Sequence, residues 1–274
     1  MCLKPYRHGV QEFGCGQCMP CRINRRRLWT ARMMLESLLH SHNSFVTLTY
    51  DNDHLPRDGS VVPSHLQLFL KRLRASISPR VIRFYGVGEY GDRTKRPHYH
   101  VVIFGLVYIN ELRSAWTKGM VHVGELNKDS AGYCAGYITK SLTKKDDPRL
   151  GGRHPEFCRM SLKPGIGAGA METMAKITTS KHGVAAITDT ADVPTGFRWA
   201  QKIWPLGRYL RRVLREESGF DSPGQPLRAA VISGLKAWAE LKPPGARAAR
   251  ESKRIAMYYK SRSINSISKS KRKF

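Results

Sequence analysis

Two strand-like segments, VIRFYGVGEY (81–90) and HYHVVIFGL (98–106), are separated only by the polar stretch GDRTKRP. Both are rich in β-branched and aromatic residues, and the connector is turn chemistry, so the pair reads as an antiparallel hairpin. No other stretch constrains the fold as tightly, because a hairpin sets a register between its strands. Side chains alternate faces along a strand, so His98 and His100 share one face. Tyr99, Val101 and Phe104 remain free to pack into neighbouring layers. Glu89 ends the first strand and is expected beside the two histidines on the adjacent strand.

Around this hairpin the pattern alternates. SFVTLTY (44–50) reads as a strand bounded by loop chemistry in DNDHLPRDG. SHLQLFLKRLRASI (64–77) has helical periodicity, with Ser64 as the expected N-cap after Pro63. NELRSAWTKG reads as a short helix, MVHVGEL as a strand, and 130–145 as a helix capped by Asp129 or Ser130. Upstream, NRRRLWTARMMLESLLH (24–40) carries Leu28, Ala31, Leu35 and Leu38 at helical spacing. Hairpin-linked strands with helices between them predict an α+β fold, a central antiparallel sheet flanked by helices. Beyond residue 150 the signals thin: Gly/Pro-rich loop material, then a helix, two short strands near 182–199 and a basic helix in PLGRYLRRVLREESGF. The serine- and lysine-rich end, within a basic region 221–274, reads as disordered.

Charge narrows the function. Forty-seven Lys and Arg against twenty-one Asp and Glu leave a net +26. Such self-repulsion calls for a polyanion, and nucleic acid is the usual one. An anionic membrane is the rival, but no apolar run approaches the ~20 residues that span a bilayer. The opening MCLKPYRHGVQEFG also lacks the apolar core of a secretory signal, so a cytoplasmic setting is expected. Clustered cysteines in a reducing compartment suggest a metal more than disulfides. Cys15, Cys18 and Cys21 stand at successive C-x-x-C spacings, and Cys2 supplies a fourth ligand for a candidate structural zinc; unligated thiols in a turn are the alternative.

Two imidazoles and a carboxylate with open positions for water and phosphate suit a divalent cation, and phosphate oxygens favour Mg²⁺ or Mn²⁺. In YCAGYITK, Tyr133 and Tyr137 are four apart on one helix face, with Lys140 three further on. Amphipathic anchoring is the bland account of such a pair. Beside a metal site on a strongly basic chain, they read as nucleophiles towards a phosphodiester. A phenol with a free pKa near 10 needs a nearby cation and a polarised phosphate, and Lys140 can stabilise the charge that develops.

FVTLTY, RPHYHVVIFG and YCAGYITK, in that order, resemble the three motifs of HUH endonucleases, which comprise rolling-circle initiators, relaxases and certain transposases. The chain is most similar to the replication initiators of microviruses, particularly the gokushovirus type, from its cysteine-rich start through MSLKPGIG and PLGRYLRRVLREESGF. The resemblance implies a ferredoxin- or RRM-like HUH domain over 23–220, after a cysteine-rich segment 1–22 and before the basic extension 221–274. It implies His98, His100 and Glu89 as metal ligands, Tyr133 and Tyr137 as nucleophiles, and Lys140 as their catalytic partner. The first motif, with Thr47 and Thr49, is expected to line the DNA groove without direct chemistry.

The implied activity is a nick at the viral origin of a duplex replicative form, leaving a 5′-phosphotyrosine and a 3′-OH, followed by closure of a single-stranded circle. Expected partners are single- and double-stranded origin DNA, a host DNA polymerase and a host helicase, in the cytoplasm of a host bacterium. No G-x-x-x-x-G-K-[ST] stretch occurs, so the unwinding is assigned to the host. Further DNA contacts are expected from Arg93, Lys95 and Arg96 in the hairpin loop and from Arg208, Arg211, Arg212 and Arg215 along one helix stripe. A plasmid relaxase or HUH transposase, and a non-catalytic zinc-containing nucleic-acid binder, are the competing readings.

Overall fold

The structure, a computed structural model, describes residues 2, 4–8, 11–106, 108–140, 147–180, 192–199 and 201–219; residues 7, 8, 11, 12 and 137–140 are described by backbone alone. In chain order the first elements are β1 (Tyr6–His8), β2 (Gln11–Phe13), α1 (Met19–Ser37), β3 (Asn43–Thr49) and α2 (Pro63–Ser76). The hairpin follows as β4 (Arg83–Tyr90) and β5 (Pro97–Phe104), then α3 (Ile109–Ala115), β6 (Val121–Glu125) and α4 (Lys128–Lys140). After them come β7 (Phe157–Met160), α5 (Ala170–Thr178), β8 (Gly196–Trp199), β9 (Lys202–Pro205) and α6 (Gly207–Glu217). The chain divides into two units, Arg26–Met171 and Met1–Arg25 with Glu172–Phe274.

In the first unit, five antiparallel strands run in the order β6-β3-β5-β4-β7, which makes the histidine strand central. Alternation sorts its residues cleanly. Val46, Leu48, Tyr99, Val101 and Ile103 face Leu66, Phe69, Leu70 and Leu73 of α2 and Leu112 of α3. Tyr85, Val87, Val102 and Phe104 face Met33 of α1 and Ala131, Cys134 and Ala135 of α4. Each such large apolar side chain, fully buried, contributes about 1.5–3 kcal/mol relative to exposure. The expected α+β architecture, an antiparallel sheet with flanking helices, is therefore the observed one, with helices on both faces.

Several element boundaries differ from the expectation, each for a physical reason. α4 starts at Lys128 because Asn127 is its cap: Asn127 Oδ1 accepts from the N–H of Asp129 at 2.9 Å and of Ser130 at 3.0 Å. α2 begins at Pro63, whose missing N–H costs nothing at the first helical position, and Val62 before it makes no side-chain cap. α3 stops at Ala115, and Trp116 turns in to donate its Nε1–H to the Thr49 carbonyl at 2.9 Å. β7 was not expected, since its four residues sit amid Gly- and Pro-rich sequence.

β7 explains a glycine in the hairpin. A Cβ at Gly88 would come within 2.5 Å of the Phe157 ring, which crosses β4 there. Gly88→Ala is expected to cost about 1–3 kcal/mol through overpacking. A denaturant midpoint unchanged from wild type would refute that packing.

In the second unit, β1 pairs with β2 and β8 with β9, both antiparallel. The two strands expected near 182–199 are thus a hairpin at 196–205, while 181–191 lie outside the described residues. α6 buries Leu210 and Leu214. The region 221–274, with its expected disordered end, also lies outside the described residues. Among the described residues no helix is long and apolar enough to cross a membrane.

Candidate active site

The central position of β5 brings three strands' side chains together. Across the β4–β5 ladder Glu89 lies opposite His98, and across β3–β5 Thr47 lies opposite His100. Glu89 Oε1 is 2.8 Å from His98 Nε2 and 3.1 Å from His100 Nε2. The carboxylate is buried, at 1% exposure. On its far side the His98 ring places Nδ1 3.1 Å from the Arg96 carbonyl. A carbonyl only accepts, so Nδ1 carries the proton. Nε2 of His98 then confronts the carboxylate with a lone pair unless a second proton or a metal ion lies between them.

One ligand atom from each of Glu89, His98 and His100 falls within 4.8 Å of the others. Glu89 Oε2 is buried with no hydrogen-bond partner among the described residues. A buried carboxylate oxygen without a donor is costly, and a cation would satisfy it. The donor set, two imidazoles and a carboxylate, thus fits a divalent metal on structural grounds.

Burial alone would lower the pKa of His98. The hydrogen bond and charge of Glu89, helped by the Arg96 carbonyl and Glu156, outweigh burial and raise it above the usual value. The folded pKa is raised, so the His98–Glu89 pair adds stability fully below the unfolded value near 6.5 and loses it as pH rises through the folded value. Metal binding needs the neutral ring and has the opposite trend. Divalent-ion affinity is expected to climb with pH through that window, approaching about tenfold per unit on its acid side. Calorimetric titration with Mn²⁺ at several pH values checks this, and a flat affinity would remove His98 from the ligand set.

Thr47 has a role beyond the one expected of it. Its Oγ1 lies 3.0 Å from His100 Nδ1, which fixes the ring so that Nε2 faces Glu89. Outer-shell partners of metal-bound histidines are typically worth about 10–100-fold in affinity. Thr47→Val, nearly isosteric, is expected to weaken Mn²⁺ binding by about that factor. An unchanged dissociation constant would refute the role. Thr49 instead directs its Oγ1 to the Met120 carbonyl at 3.5 Å.

α4 lays its tyrosine edge on this site. The Tyr133 ring is 5.1 Å from the His100 ring, edge on, and 6.3 Å from Phe45, which itself stacks on His100 at 5.4 Å. Tyr133 stays 44% exposed, so its ring packs against a ligand while part of it meets solvent. The side chains of Tyr137 and Lys140 lie outside the described residues; their backbone continues the same helix. Arg26 was not anticipated. Its guanidinium lies along Gly132 and Gly136, with Nε donating to the Gly132 carbonyl at 2.7 Å. The only sequence signal for it is the small-residue spacing of those two glycines.

The basic candidates separate into open and engaged groups. Arg93 and Lys95 are exposed in the hairpin loop. Arg96 instead donates to the Tyr50 carbonyl at 2.9 Å and to Asn52 Oδ1 at 3.0 Å. On α6, Arg208 and Arg212 are exposed. Arg211 and Arg215 converge on the Asp192 carboxylate, with Arg215 Nε 2.7 Å from Oδ1. The stripe of four arginines is thereby halved. The PGIG turn is likewise committed internally, its Gly167 N–H donating to the buried Glu36 at 2.6 Å.

In the second unit, Cys2, Cys15, Cys18 and Cys21 gather with their sulfurs within 4.8 Å of one another, all as free thiols. The amides of Cys18 and Gln17, above all, draw the Cys15 thiol down to about 6. Burial pushes Cys21 up to about 12.

Comparison with known proteins covers the segment that builds the first site. Residues 43–142 match the profile of the ORF2-type family of replication-associated proteins. The chain is 36% identical over 159 residues to the replication-associated protein VP4 of Bdellovibrio phage phiMH2K, covering 49% of this chain and 50% of that protein. It is 35% identical over 178 residues to the replication-associated protein ORF2 of Spiroplasma virus 4, covering 56% and 55%. To the replication-associated protein ORF4 of Chlamydia phage 1 it is 31% identical over 163 residues, covering 49% and 41%. The chain spans about half the length of the curated relatives it matches. No solved structure matches it significantly. The likeness to phage replication proteins carried by three short motifs thus extends over the sheet and the tyrosine helix, and the segment bearing Glu89, His98, His100 and Tyr133 matches the ORF2-type family of replication-associated proteins.

Proposed function

We propose that the protein initiates replication of a small phage genome by nicking one strand at the viral origin and later rejoining the displaced strand. The observation that carries this is the Tyr133 ring packed against His100, a ligand of the candidate metal site. The relatives' names, replication-associated proteins of phages and a virus, supply the biological setting.

Each residue has a defined task in this reading. Glu89, His98 and His100 hold Mg²⁺ or Mn²⁺, whose charge, when bound, would polarise a phosphodiester. Thr47 and the Arg96 carbonyl orient the two rings. Tyr133 or Tyr137 attacks phosphorus through its phenolic oxygen and gives up its proton. The bond from phosphorus to O3′ breaks, leaving a 5′-phosphotyrosine and a 3′-OH that takes a proton. Lys140 stabilises the charge that develops on oxygen. The phosphotyrosine keeps the energy of the broken diester, so rejoining needs no nucleotide cofactor. The second tyrosine cuts the regenerated origin, and the freed 3′-OH attacks the first link to close the circle. Exposed Arg93, Lys95, Arg208 and Arg212 contribute phosphate contacts, and the net +26 explains affinity for DNA over a membrane surface. A host polymerase extends the 3′-OH and a host helicase unwinds ahead of it.

The test is a denaturing gel on single-stranded oligonucleotides tiled across the cognate genome, labelled on either side of each site, with Mg²⁺, Mn²⁺ or chelator. The expected result is a metal-dependent nick whose downstream fragment is shifted by covalently attached protein. Binding to every oligonucleotide without an adduct in any metal would instead favour a non-catalytic nucleic-acid binder. Cleavage confined to a conjugation-type or transposon-end sequence would favour a relaxase or transposase.

A further inference from the structure

The phosphodiester chemistry leaves the cysteine cluster unused, yet this cluster is built as a site in its own right. Four thiolates about 2.3 Å from one central ion form a tetrahedron whose edges are about 3.8 Å. Cys2 Sγ and Cys18 Sγ are 3.7 Å apart, and all four sulfurs lie within 4.8 Å of one another. A disulfide would need about 2.05 Å, so the spacing is that of co-ligands.

The surrounding backbone is shaped for charged sulfur. The Cys15 N–H points at Cys2 Sγ at 3.2 Å, and the Cys18 N–H at Cys15 Sγ at 3.3 Å. Such donors stabilise thiolates, as do the free amides at the start of α1, which opens at Met19 directly after Cys18. Two glycines make the arrangement possible. Gly16, at φ +73°, takes the left-handed turn that lets the chain fold back over Cys15. Gly14 keeps a Cβ away from Cys21 Sγ, which that atom would approach to 3.0 Å. The pattern G-C-G-Q-C-x-x-C is thus accounted for residue by residue.

We infer that Cys2, Cys15, Cys18 and Cys21 bind one Zn²⁺ as a closed, structural tetrathiolate site. Four protein ligands leave no open position, so the ion takes no part in phosphodiester chemistry. Its work is to order residues 2–21, whose two three-residue strands are too short to hold together by their own pairing. A tetrahedral four-sulfur site is chosen by Zn²⁺ or by iron, and the colourless, redox-inert ion suits a scaffold.

The experiment is elemental analysis of the full-length protein, purified with reductant and without affinity to immobilised metal. One zinc per chain is expected, and it must persist in Glu89→Gln, which separates this ion from the catalytic site. Cys15→Ser/Cys18→Ser should lose it. If that variant fails to fold, wild-type protein is titrated with a mercurial thiol reagent in the presence of a zinc-sensitive dye. Zinc release in step with the reactive thiols supports the site. Substitution with Co²⁺ should add near-ultraviolet thiolate charge transfer and the visible bands of a tetrahedral ion. Iron in place of zinc, a metal content near zero, or zinc lost only on Glu89→Gln would each overturn the proposal.

Discussion

Glu89→Gln is expected to abolish metal-dependent cleavage while leaving the fold in place. The amide is isosteric with the carboxylate, so the packing around a residue only 1% exposed is preserved. Its NH₂ donates to imidazole lone pairs, which removes the frustration of two Nε2 atoms facing Oε1 at 2.8 and 3.1 Å. The metal, however, loses its one anionic ligand. Outer-shell changes alone cost about 10–100-fold, so loss of this ligand should exceed that and reduce cleavage by on the order of 10³-fold. Single-turnover cleavage across a range of Mn²⁺ concentrations checks it. Rate loss that excess Mn²⁺ restores would support a ligand role, and a wild-type rate would eliminate Glu89 from the site.

Tyr133→Phe should remove the covalent adduct formed in the first cut. The ring keeps its edge contacts with His100 and Phe45, so metal affinity and stability should stay close to wild type. Only the oxygen is lost, and with it the attacking group. Removing a covalent nucleophile commonly costs about 10³-fold or more, about 4 kcal/mol in barrier height at the least. Adduct yield on a single-stranded oligonucleotide, with Tyr137→Phe in parallel, is the measurement. An adduct surviving Tyr133→Phe and vanishing in Tyr137→Phe would transfer the first attack to Tyr137.

These two substitutions separate binding from attack. The first is expected to lose metal affinity and cleavage together. The second should lose the adduct alone. A protein that merely binds nucleic acid would show neither pattern, and its DNA affinity would fall with salt in both variants alike.

Much of the sheet is legible in the amino-acid sequence alone. The period-two alternation from 81 to 106 sorts side chains by face, and the hairpin loop closes on itself through Gly91 N–H to the Arg96 carbonyl at 3.0 Å. Those local rules place Glu89, His98 and His100 on one face and Tyr133 on a helix. They also identify four cysteines close enough in sequence to share an ion. Helix ends are less legible, because a cap depends on which nearby side chain reaches the first amides, and Asn127 does so where Asp129 and Ser130 were expected.

What local pattern could not decide is whatever depends on residues far apart in the chain meeting in space. β7 becomes a strand because β4 offers it an edge, not because FCRM has a strong preference of its own. The same contact makes Gly88 necessary, through a ring far along the chain. Thr47 becomes an orienting group only once β3 lies beside β5, and Arg26 meets α4 only once both helices cover one face of the sheet. Arg211 and Arg215 look like free charge on a helical wheel until Asp192 is found between them. Periodicity fixes which way a side chain points from its own backbone. Only tertiary packing fixes what it points at, because that partner is selected by the burial and charge balance of the whole domain.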